Sequence, residues 1–322
     1  MAPKVLVTGS AGQIGSELTP LLRQRYGAER VVAGILKGQS ADSLGPGPAV
    51  TVDVTDGGSL RSVIKEMGID TVYHLAAVLS ARGEEDPQLA WDVNVLGLKN
   101  VLDASRELGV SRVFWPSSIA VFGPDAPRRM TPQNPPLNPT TMYGVTKVAG
   151  ELLCHYYSRR YSLDTRSVRY PGIVSSKTRP GGGTTDYAVE MFYAAVSKGE
   201  YRCFVREDTT LPMMYMPDAL RAAVLIMEAE PQKVRIHRGY NVASMSFSAG
   251  ELAAEIRKHL PHFSCSFVPD KRQEIADSWP ESIDDSEARR DWGWFSSYDI
   301  HTMVEDMILK VSSRHLTAPD KG

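Results

Sequence analysis

The segment Lys4-Val5-Leu6-Val7-Thr8-Gly9-Ser10-Ala11-Gly12-Gln13-Ile14-Gly15 decides the fold. Lys4 to Thr8 reads as a strand buried on both faces, because its apolar residues are consecutive rather than alternating. Three glycines follow at G-x-x-G-x-x-G spacing, and the amphipathic run Ile14 to Tyr26 predicts a helix. Gly9, Gly12 and Gly15 let the backbone turn tightly and approach a pyrophosphate. The helix behind them aims unpaired N–H groups and a positive dipole end at the same phosphates. Glycine spacing alone is weak evidence. Its place between a strand and a helix makes this a dinucleotide-binding turn, with Gln13 and Ile14 inside it.

Working outward, short strands alternate with helices. Strands are predicted at Val31–Ala33, Val50–Val54, Thr71–Ala76, Arg112–Pro116 and Thr165–Tyr170, and long helices at Trp91–Leu108 and Met142–Tyr161. Such alternation predicts an α/β fold, a doubly wound parallel sheet of Rossmann type. Pro and Gly cluster between Gly123 and Pro139, an exposed connection. After about residue 175 the alternation weakens. Ser248 and Glu251 form a capping box before the helix Leu252–Leu260, and Asp218 can cap Ala219–Ala229. The expected division is a dinucleotide-binding domain over 1–174 and a smaller substrate lobe over 175–322, with the chain free to cross between them.

The bulk numbers suit a globular protein: 322 residues, 42% hydrophobic, 23% charged and a net charge of −2. That charge points to neither nucleic acid nor an anionic membrane. No apolar run reaches the roughly 18–20 residues a membrane span needs. The first residues run straight into the strand, so a cytoplasmic location is expected. Cys154, Cys203 and Cys265 are scattered and odd in number, which suits packing rather than a disulfide framework. The histidines are scattered as well, and no metal site is expected.

Tyr143-Gly144-Val145-Thr146-Lys147 carries the strongest chemical signal. Four residues apart on a helix, Tyr143 and Lys147 share one face. A free phenol, with a pKa of about 10, is a poor base at neutral pH. A neighbouring ammonium favours the phenolate, which can then take a proton from an alcohol while hydride leaves its carbon. Ser118 of Pro116-Ser117-Ser118 is the expected third member, orienting the substrate oxygen, with Ser117 the near alternative. Asn94 is a candidate to steady Lys147 through a water or a backbone carbonyl. Asp53, followed by Val54, is placed to meet an adenine edge; the plainer reading is a turn or helix-cap residue. The second strand, Val31-Val32-Ala33-Gly34-Ile35-Leu36-Lys37, lacks the acid that usually binds the adenosine ribose.

These segments, with His74-Leu75-Ala76-Ala77, resemble the extended short-chain dehydrogenase/reductase superfamily. Arg169-Tyr170-Pro171-Gly172-Ile173, Pro180-Gly181-Gly182-Gly183-Thr184-Thr185-Asp186-Tyr187-Ala188, Leu211-Pro212-Met213-Met214-Tyr215, Ser278-Trp279-Pro280 and Asp291-Trp292-Gly293-Trp294 narrow the resemblance to the epimerase-like L-threonine 3-dehydrogenases. It covers essentially the whole chain. It implies NAD as cofactor and oxidation of the 3-hydroxyl of L-threonine to 2-amino-3-oxobutyrate. That product would lose CO2 or pass to a 2-amino-3-oxobutyrate CoA ligase. It also implies a homodimer built on Trp91–Leu108 and Met142–Tyr161. Leu75, Ala76, Ala77, Asn94, Tyr170, Gly172 and Ile173 join the expected cofactor site. One departure stands out: Ile35 replaces the family's ribose-binding Asp, which loosens the expected discrimination between NAD and NADP.

A substrate as small as threonine needs partners for its carboxylate and ammonium. The helix that begins near Tyr187 offers its N-terminus to the carboxylate. Thr184 and Thr185 stand there, Ser80 is a second polar candidate, and Trp279 is a candidate wall against water. The plainer reading is that Thr184, Thr185 and Asp186 only cap the helix. The rival function is a sugar-nucleotide epimerase or dehydratase. Leu211-Pro212 stands where those enzymes commonly carry a charged pair, which predicts a small, closed pocket here. A non-catalytic cofactor-sensing protein is a further rival, one that the retained Tyr143 and Lys147 disfavour.

Overall fold

The computed structural model describes residues 2–178 and 181–317, so Pro180 of the glycine-rich motif lies outside the described residues. The chain opens with β1 (Val5–Thr8), α1 (Gly15–Tyr26), β2 (Val31–Ile35), β3 (Ala49–Thr51), α2 (Gly57–Glu66) and β4 (Thr71–His74). Then come α3 (Ser80–Glu85), α4 (Pro87–Trp91), α5 (Gly97–Glu107), β5 (Arg112–Phe114), β6 (Ser117–Ser118), α6 (Met142–Tyr161) and β7 (Asp164–Arg166). Six strands form one sheet in the order β3-β2-β1-β4-β5-β7. Every pair in it is parallel. This is the doubly wound order expected of a dinucleotide-binding sheet.

Alternate side chains of each strand enter different cores. Val5, Val7, Val31, Tyr73 and Phe114 pack on one face with Leu18 and Leu22 of α1. Leu6, Val32, Val72 and Val113 pack on the other with Leu60 of α2, Leu98 of α5 and Cys154 of α6. The period of two divides one apolar run between two cores. Each fully buried aliphatic side chain contributes roughly 1.5–3 kcal/mol.

The rest of the chain supplies β8 (Val168–Tyr170), β9 (Gly172–Val174), α7 (Tyr187–Ser197), β10 (Glu200–Cys203), β11 (Thr210–Tyr215), α8 (Met216–Glu228) and β12 (Tyr240–Asn241). It ends with β13 (Met245–Ser248), α9 (Ala249–His259), β14 (Ser264–Phe267), α10 (Arg272–Asp277), α11 (Ser286–Trp292) and α12 (Ile300–Thr317). Three small sheets result: β12-β8-β6, β13-β11-β9 and β10-β14. A third core joins Ile119–Phe122 to side chains of α7, α9 and α12. Helices α8 and α11 return to the central sheet and cover it beside α1. Among the described residues, no helix is long and apolar enough to cross a membrane.

Four expectations are corrected. The predicted strand Thr165–Tyr170 is two strands, because Trp115 N–H bonds the Arg166 carbonyl while Tyr240 N–H bonds that of Ser167. The chain thus changes sheets between neighbouring residues. The helix predicted at Trp91–Leu108 begins at Pro87 and passes through a π-helical turn, Asp92–Leu96, whose wider loop turns Asn94 inward. Asp218 does not cap α8 but sits inside its first turn. Buried there, its carboxylate pairs with Arg221 and accepts the Ser297 and Tyr298 N–H groups, pinning a remote loop. The Pro-rich connection is exposed only in part, since Thr131 and Gln133 within it are buried.

Candidate active site

The glycine turn is closed by backbone against backbone. Gly9 has φ +68°, and a Cβ on it would lie 2.7 Å from the Ala76 nitrogen. A Cβ on Gly15 would lie 2.2 Å from the Gly9 carbonyl oxygen. Gly12 donates its N–H to that same oxygen at 3.0 Å. A Cβ on Gly12 would meet only that oxygen, at 3.2 Å, and otherwise project into open space. A cradle kept clear in this way, at the opening of α1, fits a dinucleotide pyrophosphate.

Beside the turn lies a cavity of about 150 Å³. Gln13 and Ile14 border it from the turn, and Leu75, Ala77 and Ser80 from the loop after β4. Ser117, Ser118, Tyr143 and Lys147 line it from β6 and α6. Tyr170, Gly172 and Ile173 form the floor after β8, and Thr184, Thr185 and Trp279 close the far side. Gly9, Gly12, Gly15 and Ala76 stand behind this wall, where Ala76 packs on Gly9.

Helix α6 starts where Thr141 Oγ1 accepts the Gly144 N–H at 3.1 Å, a side-chain cap that places Tyr143 in the first turn. Ser118 Oγ accepts the Ala120 N–H at 3.2 Å and lines the cavity together with Tyr143. Burial pushes the Tyr143 pKa up to about 12, and the nearby Ser118 hydroxyl only partly offsets that. The lowered phenol pKa expected from Lys147 is therefore not what the resting site shows. Lys147 Nζ donates to the Pro116 carbonyl at 2.7 Å and lies 5.4 Å from the Tyr143 ring centroid. Burial lowers its pKa to about 7, opposed by Cys154 and Glu151. His74 bonds Thr8 Oγ1 through Nδ1 at 2.7 Å, and its Nε2 has no partner. Burial, and secondly Lys147, lower its pKa to about 3, so the ring is neutral.

Other placements differ from expectation. Ser117 lines the cavity, but its hydroxyl donates to Glu151 Oε1 at 2.6 Å and is not offered to a substrate. Asn94 bonds the Val78 backbone in both directions and Thr146 Oγ1, so the backbone carbonyl it holds is that of Val78. Asp53 Oδ1 accepts both the N–H and the hydroxyl of Thr55 in a turn, and the residue is exposed. Val54 is buried and packs against Gly97. The Tyr170 phenol points away, to the Ala219 carbonyl at 2.6 Å, leaving its backbone side to the cavity. Leu211 and Pro212 are buried in β11 and do not line the cavity. Thr184, Thr185 and Asp186 place no side-chain cap on α7.

Two groups were not among the expected site residues, although the sequence reads Asp186 as a cap. Asp186 lines the cavity, and its Oδ2 accepts the Gly182 and Gly183 N–H groups at 2.8 and 2.6 Å. Burial raises its pKa against the pull of those bonds. The other is Glu151, paired with Arg169 at 2.7 Å and bonded by the Ser117 hydroxyl. Its place one helical turn beyond Lys147 was the available signal.

Comparison with known proteins bears on this geometry. The profile of the "NAD dependent epimerase/dehydratase family" matches residues 5–243. An uncharacterized epimerase/dehydratase of Staphylococcus haemolyticus is 45% identical over 313 residues, covering 97% of this chain and 98% of that protein. The holo L-threonine dehydrogenase structure from Cupriavidus necator is 49% identical, with a TM-score of 0.92, covering 96% of this chain and all of that one. The L-threonine dehydrogenase from Clostridium difficile is 45% identical, with a TM-score of 0.93, covering 97% and 98%.

Proposed function

The chain belongs to the NAD dependent epimerase/dehydratase family, and from that premise we propose that it oxidises the 3-hydroxyl of L-threonine to 2-amino-3-oxobutyrate. The observation that carries this reading is the near full-length likeness to L-threonine dehydrogenases. The Ser118, Tyr143 and Lys147 set around a cavity of about 150 Å³ agrees with it.

NAD bound along the glycine turn supplies the hydride acceptor. Tyr143 takes the proton of the substrate hydroxyl as hydride leaves C3, and Ser118 holds that oxygen by a shared hydrogen bond. Lys147, fixed on the Pro116 carbonyl, favours the phenolate by its charge. Asp186 changes the expected placing of the substrate's charged ends. A carboxylate in the wall repels a second anion, so the ammonium faces Asp186. The substrate carboxylate then falls to the hydroxyls of Ser80, Thr184 and Thr185. Trp279 shields the reacting atoms from water.

The test is NADH formation with L-threonine against other 2-amino-3-hydroxy acids and UDP-sugars. L-Threonine should be the best substrate. Turnover of a UDP-sugar without NADH formation from threonine would replace this reading with epimerase or dehydratase chemistry.

A homodimer through α5 and α6 belongs to the same proposal, because α6 leaves Val145, Leu152 and Tyr156 exposed. Sedimentation should give twice the chain mass; a monomer at micromolar concentration would remove this part.

A further inference from the structure

Glu151 and Arg169 are each only 1% exposed. Arg169 gives Nε and Nη2 to the two carboxylate oxygens at 2.7 and 2.8 Å. Its Nη1 goes to the Gln133 carbonyl at 2.7 Å and to Asn241 Oδ1 at 3.2 Å. A pair so desolvated usually adds little net stability over apolar residues of the same size. What it touches is more telling. Glu151 Oε1 accepts both Arg169 and the Ser117 hydroxyl, and Ser117 and Arg169 are register partners on β6 and β8. One oxygen of α6 thus grips two neighbouring strands at one level of the sheet. The residues on either side of Ser117 are Pro116, whose carbonyl holds Lys147, and Ser118, which lines the cavity with Tyr143.

We propose that Glu151, paired with Arg169, is a positioning residue for the reaction: it locks Ser117 against α6, so that the Pro116 carbonyl and Ser118 hydroxyl meet Lys147 and Tyr143 in register. The proposal rests on reading Tyr143, Lys147 and Ser118 as the reacting set. It does not depend on which alcohol is oxidised.

Glu151 also bears on the charge of Lys147. The groups around that ammonium are Tyr143, Glu151 and Cys154 on α6, His74 on β4, and the Trp115 ring and Pro116 carbonyl before β6. His74 is neutral; Cys154 and then Glu151, the one carboxylate in this set, oppose the lowering of the ammonium's pKa by burial. Without that charge Lys147 loses its proton at lower pH. The alkaline limb of kcat/KM, where the ammonium is lost, then moves toward acid.

Two variants test this with whichever substrate the wild type turns over. Ser117→Ala cuts the link while leaving the ion pair whole. It should lower kcat about tenfold, the scale of a lost orienting contact, with Kd for NAD by calorimetry within about twofold. Glu151→Gln should lower kcat further and shift the alkaline limb acidward by at least about half a pH unit. A merely structural pair predicts a lower Tm with unchanged kcat and pH profile in both variants, and that result overturns the proposal. Should Glu151→Gln fail to fold, Ser117→Ala decides alone, and wild-type kcat in it is the overturning result. Failure of threonine as substrate would strike the proposed function and leave this test standing.

Discussion

Tyr143→Phe is expected to lower turnover by at least about 10²–10⁴-fold, the usual contribution of a positioned general base. The substitution removes one oxygen and keeps the ring, so packing in the first turn of α6 survives. Lys147 is held to the Pro116 carbonyl independently of the phenol. NAD affinity should therefore stay within a few-fold of wild type, read by calorimetry beside steady-state NADH formation. The resting pKa of about 12 sharpens the expectation. A half-buried phenol this weakly acidic works as a base only when bound partners bring positive charge toward it. The wild-type rate should accordingly rise with pH on its acid side, as the proton is more easily lost. A phenylalanine variant within a few-fold of wild type would show that another group takes the proton.

Gly15→Ala should remove cofactor binding almost completely. The added Cβ would sit 2.2 Å from the Gly9 oxygen and 2.8 Å from Ser10 Cα, both backbone atoms with no rotamer to relieve the clash. Gly9 cannot retreat, because Ala76 backbone already stands against it. The turn must open, and the N–H groups aimed at the pyrophosphate disperse. A loss of at least about 100-fold in NAD affinity is expected, near 2.7 kcal/mol, with a lower Tm. Gly12→Ala serves as the control. Its Cβ meets only one oxygen, at 3.2 Å, so Tm should hold while NAD binding still falls. Wild-type affinity in Gly15→Ala would mean the phosphates lie elsewhere.

Local patterns carried much of this protein in the sequence alone. The strand, turn and helix over residues 4–26, the helix Met142–Tyr161 and the capping box at Ser248 and Glu251 all rest on neighbours a few residues apart. Their physics is complete within the segment, so the linear chain displays it. The pairing of Tyr143 with Lys147 was legible for the same reason. What the tertiary structure decided were choices among remote partners. Sequence could not separate Ser118 from its neighbour Ser117 by partners; Glu151 takes the Ser117 hydroxyl, while Ser118 stays at the cavity with Tyr143. The backbone carbonyl that Asn94 holds turns out to be that of Val78, a partner set by the π-helical turn. Asp218 reads as a helix cap until the loop at Ser297 arrives to take its carboxylate. The cavity is small without any contribution from Leu211 and Pro212 at its wall. A buried polar group bonds whatever the fold brings within about 3 Å, and that choice is written in the packing of distant segments, not in the spacing of neighbours.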